Sequence, residues 1–204
     1  MLQTDNIFYT PSAIKEKVER IREKFIHPSS DHITFLNVFK LWKENRSTQN
    51  WTKDHFLNEK SLIKAEDIKK QLRNYLAKIQ SNTISAKEIE EQNLENMLDE
   101  IENKNFSTEK DSSKKEELIL KCLLTGYFTN LARYSSDNIF ITCKEKTVCK
   151  IHPTSNLIKL PKLGRQMEYC FYNDIIYTNR EYLKCCTLVR YDMVKRYFDN
   201  NSIH

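Results

Sequence analysis

Asp31 stands directly before His32, and a carboxylate beside an imidazole is the pairing that orients a general base. Such a base needs a nucleophile or a ligand to act on, and no spacing in the chain supplies one. A simpler reading covers both residues. Asp31 precedes the apolar run 33–43, so its carboxylate can cap that helix by accepting from exposed backbone N–H groups, with His32 packed beside it. His152, before Pro153, suits a strand end as a plain polar residue; its other reading is a contact to a phosphate or a base. The six cysteines at 122, 143, 149, 170, 185 and 186 include no C-x-x-C pair, and structural zinc wants closely spaced ligands. They read as reduced thiols, mostly small core residues, with Cys185 and Cys186 on opposite faces of a strand. An enzyme built on cysteine and histidine finds no supporting spacing. Two glycines cannot form a phosphate cradle, and no G-x-x-x-x-G-K-[ST] loop occurs, so this chain alone should not hydrolyse ATP. No catalytic residue and no metal ligand is assigned.

Charge adds a direction. The formal net charge is +5. Residues 80–117 carry eleven acidic and five basic side chains, a net of −6, which leaves about +11 on the remainder. A basic body can face a polyanion such as RNA, although a solvated lysine surface looks the same in sequence. No apolar run approaches the roughly 18 residues of a membrane span, and no signal peptide opens the chain. The expectation is a soluble, intracellular protein, nuclear or cytoplasmic, with no membrane partner.

Positioning those residues requires elements of two kinds. Residues 1–79 read as helical. Pro11 can open a helix over 12–25 with Ile14, Val18, Ile21 and Phe25 on one stripe. The run 33–43 is apolar on most sides, the mark of a buried helix. A helix over about 52–58 and a longer one over about 61–79 should follow, the latter with Leu62, Ala65, Ile68, Leu72, Tyr75 and Leu76 inward. Residues 80–117 read as an acidic polar insertion, mobile at its ends, in which Leu94, Met97, Leu98 and Ile101 form at most a short amphipathic helix. A last helix spans 118–134, with Gly126 there to admit another backbone. After Ser135 short alternating runs begin at Ile139, Val148, Tyr169 and Tyr182, with a hairpin turn at Lys144–Lys146 and a loop over 157–165. Four or five such strands within about 60 residues suit a small barrel.

Several segments resemble one family in order. Asp31-His32-Ile-Thr-Phe-Leu-Asn37 resembles the G-D-H-[LI]-T-L-L-N signature of DEAH-box RNA helicases, with Ser30 where the glycine usually stands. Trp51, Phe56-Leu57-Asn58, Ser61-Leu62 and Gln71-Leu72 resemble the following ratchet-domain block. Thr125-Gly126-Tyr127-Phe128, Ile151-His152-Pro153-Thr154-Ser155 and Tyr172-Asn173-Asp174 resemble later motifs. No Asp-Glu-Ala-His box is present. The likeness therefore covers the C-terminal accessory half, with Met1 matching an internal methionine. The chain would start partway through a larger protein, or be a remnant of one.

The resemblance implies an α+β fold: a partial helical ratchet domain over 1–79, the insertion over 80–117, a last ratchet helix over 118–136, an OB-fold-like barrel over 137–198 and a tail over 199–204. It implies a clamp on single-stranded RNA while RecA-like motor domains, holding ATP and magnesium, do the stepping. The residues it nominates for RNA are Lys60, Lys64 and Arg73 from the ratchet helix and His152, Ser155, Arg180, Tyr182 and Lys184 from the barrel. Contacts of that kind are phosphate-led and tolerant of sequence. The alternative is a protein-interaction module that docks a G-patch protein or a particle component without RNA.

Overall fold

The computed structural model describes residues 1–4, 6–83, 109–136, 138–159 and 168–199. Its first block is helical. A 3-10 turn at Ser12–Ile14 leads into α1 (Lys15–Arg22) and a second 3-10 turn at Glu23–Phe25. Val18 and Phe25 of the expected stripe are fully buried, while Ile14 is exposed. Helix α2 (Asp31–Glu44) buries Ile33, Val38, Phe39 and Trp42. Its N-cap is Ser30, not Asp31: the Ser30 hydroxyl accepts from the Ile33 N–H at 3.1 Å. Asp31 is the first helical residue, and its carboxylate turns away to other partners.

The helix expected over 52–58 is only one turn, α3 (Trp51–Asp54). It stops because Phe56 takes a left-handed conformation, φ 54°, which no helix can continue through. That reversal lays residues 7–9 beside 56–58. Tyr9 N–H donates to the Phe56 carbonyl and Asn58 N–H to that of Ile7, at 3.2 and 2.8 Å. Helix α4 (Glu59–Thr83) then packs Leu62 and Ala65 against Phe25, Phe39, Trp42 and Trp51. Leu72, Tyr75 and Leu76, expected inward, are 55%, 64% and 54% exposed. The helix overshoots its core. Leu76 lies about 16 Å past Ala65 at 1.5 Å rise per residue.

Helix α5 (Glu109–Gly126) occupies the end of the stretch expected as an insertion, as α4 occupies its start. Residues 84–108, including Leu94, Met97, Leu98 and Ile101, lie outside the described residues. The helix expected over 118–134 ends at Gly126. A Cβ there would meet nothing within 4 Å, so close backbone approach is not the reason for the glycine. Residues Leu131–Ser136 form strand β1 instead. Asn130 makes the break: its N–H bonds the Tyr127 carbonyl at 2.9 Å, and its side-chain amide donates to the carbonyls of Tyr172 and Asn173, both at 3.3 Å.

Strands β2 (Ile139–Thr142), β3 (Val148–Ile151), β4 (Tyr169–Tyr177) and β5 (Glu181–Val189) complete a closed barrel in the order β1-β2-β3-β5-β4. β3 and β5 run parallel and the other neighbours antiparallel. This is the α+β architecture expected from the sequence, with an OB-like barrel that starts at residue 131. The turn expected at Lys144–Lys146 joins β2 to β3, with Lys146 at φ 57°. Phe140, Ile151, Tyr172, Leu183 and Leu188 fill the barrel together with Cys149, Cys170 and Cys186. A second cluster closes one end, where Leu124 of α5 and Val194 of α6 (Tyr191–Asp199) meet Leu131, Phe171 and Val189. The last residues of the expected barrel are thus a helical cap. Five of the six cysteines are buried and all are free thiols; Cys122 is exposed. No helix among the described residues is long and apolar enough to cross a membrane.

Candidate nucleic-acid interface

The helical block meets the barrel along one short segment. Residues 29–32 lie beside the end of β5 as if adding an edge to it. Ser30 and Thr187 form an antiparallel bridge, and Leu188 N–H donates to the Ser29 carbonyl at 2.8 Å. The side chains repeat the connection. Ser30 Oγ and His32 Nδ1 lie 2.6 and 2.8 Å from the Thr187 hydroxyl. The Asp31 carboxylate accepts from Ser155 Oγ at 2.6 Å, Cys186 N–H at 3.0 Å and Asn156 N–H at 3.2 Å. Burial pushes the Asp31 carboxyl above its ordinary pKa, and the three donors pull against that rise. His32 sits against Phe171 and Tyr127 at centroid distances of 5.0 and 5.9 Å. Burial pushes its pKa down to about 4, so at neutral pH it is an uncharged packing residue. The Asp31-His32 pair therefore orients no base: the Asp31 carboxylate serves Ser155, Asn156 and Cys186, while the His32 ring bonds Thr187.

Beside this joint opens a cleft of about 360 Å³. One wall comes from the N-terminal segment, α1 and α2, with Lys15, Glu19, Arg22 and Phe35; the other comes from residues 153–156, Asn173, Lys184 and Cys185 of the barrel. Arg22 is held in its wall. Its guanidinium donates to the Tyr9 carbonyl and Thr10 Oγ1 at 2.7 and 2.9 Å and lies over the Phe8 ring at 4.6 Å. The cleft mixes Lys15, Arg22 and Lys184 with Glu19 and an Asp31 already saturated by donors.

Three of the sequence-nominated residues gather at the barrel wall. Alternation along β5 turns Leu183 into the core and leaves Tyr182 and Lys184 on the outer face. Parallel pairing sets Tyr182 beside Lys150, one residue from the end of β3, where His152 follows. The His152 and Tyr182 rings meet edge to face, 5.7 Å apart at 83°. His152 Nδ1 lies 2.7 Å from Thr154 Oγ1 and accepts from Thr154 N–H at 3.3 Å, which leaves the other ring nitrogen to carry the proton of the neutral ring. Burial, and secondarily the Lys184 charge, lowers its pKa, so a neutral ring with an N–H donor is the form at pH 7.

The remaining nominees stand elsewhere. Arg180 is exposed in the β4–β5 turn beside Tyr177, itself 69% exposed. Ser155 is 6% exposed, and its hydroxyl donates to Asp31 while accepting from Leu157 N–H. Its place is in the joint, at the edge of the cleft, with its hydroxyl already engaged by protein partners. Lys60 and Lys64 are exposed on one face of α4, one turn apart. Arg73 is nine residues on, half a rotation away from Lys64, and half-buried. None of the three lines the cleft. Reading the sequence missed Lys15 and Arg22, which no motif singles out; it gave Asn173, part of a motif, no role; and it missed the partners of Asp31, which lie more than 120 residues away. Among the described residues no cluster of three or more acidic, histidine or cysteine side chains is placed to hold a metal ion.

Comparison with known proteins adds a lineage. Residues 119–200 match the family described as oligonucleotide/oligosaccharide-binding (OB)-fold. Over 190 residues, 93% of this chain, the sequence is 30% identical to the pre-mRNA-splicing factor ATP-dependent RNA helicase prp22 of Schizosaccharomyces pombe, of which it covers 14%. It is 28% identical over 189 residues to the probable ATP-dependent RNA helicase DHX35 of Homo sapiens, again 93% of this chain and 23% of that one. The chain thus spans less than a quarter of the length of these relatives. Barrel topology, motif order and identity agree that this chain is homologous to the C-terminal OB-fold region of DEAH-box RNA helicases.

Proposed function

We propose that this chain clamps single-stranded RNA as the accessory part of a helicase whose motor lobes, with their ATP and magnesium, hydrolyse the nucleotide. The observation that carries the reading is the cluster of His152, Tyr182 and Lys184 on the barrel wall, beside a cleft that separates the two blocks. The three side chains supply what a sequence-tolerant grip needs: an N–H donor, an aromatic face and a mobile cation. Arg180 adds an exposed cation in the β4–β5 turn, two residues before Tyr182, whereas Tyr177, paired with Glu181, lies on the other face of the ladder. Lys60 and Lys64 offer the backbone a second basic surface on α4.

Anisotropy of a fluorescent oligouridylate, titrated with the full 204-residue chain at 50 and 200 mM salt, tests this. Binding should weaken steeply with salt. Lys184→Ala should lower the slope of log K against log salt by about 1, the signature of one lost phosphate contact. Tyr182→Ala should cost roughly 1–3 kcal/mol with little change in slope. Binding that ignores salt and both substitutions overturns the proposal.

A second reading has one observation in its favour. Leu72, Tyr75 and Leu76 put an apolar stripe on the outer half of α4, near the exposed Lys70 and Lys78. A stripe of that kind suits a protein partner, whether a motor lobe or a G-patch regulator. Specific capture of a protein by wild type and not by Leu72→Ser/Leu76→Ser, with no RNA binding, would replace the clamp by this docking role.

A further inference from the structure

We infer that Asp31 is the positioning residue for the RNA-facing wall of the barrel, an inference that rests on the clamp reading above. Its carboxylate collects three donors from two separate parts of the barrel: Ser155 and Asn156, at the end of the loop that begins at His152, and Cys186, two residues beyond Lys184. One buried acceptor on the helical block thus fixes the His152 loop and the outer face of β5 relative to each other.

Most of the loop's other bonds are local. His152 bonds Thr154 through its ring, Ser155 N–H closes a turn onto the His152 carbonyl, Ile158 N–H reaches the Ser155 carbonyl, and Ser155 Oγ accepts from Leu157 N–H; His152 N–H alone among these reaches β5, at the Leu183 carbonyl. Pro153 and Thr154 are exposed. Without Asp31, two backbone N–H groups and a hydroxyl would face each other at the joint with no acceptor between them. Near Cys186 the strand is already unusual, since Cys185 stands at φ 53°. A residue other than glycine holds that conformation only where its surroundings impose it, and the Cys186 N–H bond to Asp31 is one such constraint. The helical block therefore sets the geometry of the barrel's contact surface through a single side chain. Ser30 and His32 direct their side-chain bonds across the joint to Thr187 instead.

The test uses Asp31→Asn in the full chain. The amide keeps the size but offers one acceptor atom where the carboxylate offered two, so at least one backbone N–H loses its partner. Circular dichroism establishes a folded protein. Hydrogen exchange should then quicken at least tenfold at the amide of Asn156, of Cys186 or of both, and the oligouridylate Kd should rise about tenfold. His152→Ala should cost much less when combined with Asp31→Asn than in wild type, because the ring is already misplaced. Ser155→Ala removes one donor and leaves two, so it should move the same readouts about threefold, and it carries the test if Asp31→Asn does not fold. An unchanged Kd despite fast exchange at 156 or 186 overturns the inference. So do independent, multiplying effects of Asp31→Asn and His152→Ala, since a general structural role predicts no coupling between them. If His152→Ala and Lys184→Ala leave wild-type binding untouched, the clamp reading itself has failed, and the inference falls with it whatever the exchange rates.

Discussion

Replacing His32 with phenylalanine should change how stability responds to acid, and the size of the change follows from the joint. The imidazole is 6% exposed, and burial lowers its pKa from 6.5 to about 4. Above pH 6.5 it is neutral whether the chain is folded or not. Between 6.5 and about 4 the unfolded chain takes up a proton that the folded chain refuses, so stability falls as pH falls through that window. The full effect is roughly 3 kcal/mol. Asp31, whose carboxyl is raised by burial, works in the opposite sense, but it is present in both proteins and cancels in their difference. Phenylalanine keeps the ring against Phe171 and Tyr127 and loses the bond to Thr187, at a cost of about 1 kcal/mol. His32→Phe should therefore be less stable than wild type at pH 7 by about 1 kcal/mol and more stable at pH 4.5 by about 1 to 2 kcal/mol. Urea unfolding at half-unit pH steps measures both curves. Curves that stay parallel from pH 7 to 4.5 would refute the buried neutral histidine.

Other substitutions probe the packing. Phe140→Ala, at a ring with no exposed surface inside the barrel, should cost about 3–5 kcal/mol and lower the urea midpoint accordingly. Gly126→Ala should raise the melting temperature, by an amount that matches roughly 0.5–1 kcal/mol, because its Cβ meets open space and its φ is not left-handed. Leu76→Ser on the outer half of α4 should leave the urea midpoint within about 0.5 kcal/mol of wild type.

Where local pattern alone decides structure, the sequence is readable. Strands β3 and β4 fall at the expected residues because each alternates or fills a core and is bounded by polar turns. Leu131–Ser136 reads as helix because Leu131 continues the helical spacing of Leu120, Leu124 and Phe128, and only pairing with β2 and β4 draws it into the sheet. Period says which residues share a face, not how far the opposing core extends, so Leu72, Tyr75 and Leu76 look inward in sequence and are exposed in the fold. Ser30 and Asp31 are both competent caps. The choice between them is made by donors on the far side of the joint, at Ser155, Asn156 and Cys186, which proximity in the chain cannot disclose. The candidate site divides the same way. His152, Tyr182 and Lys184 are nominated through the family resemblance, while the facing wall of Lys15 and Arg22 exists only once the blocks are packed.

The most direct measurement is photocrosslinking of a 4-thiouridine oligonucleotide to the full chain at low salt, with the adducts mapped by mass spectrometry. The clamp account expects adducts at Tyr182 and at the His152 loop, lost at high salt and displaced by unlabelled RNA. Adducts confined to α6 and the capped end of the barrel, or none above those of an unrelated basic protein, would contradict it.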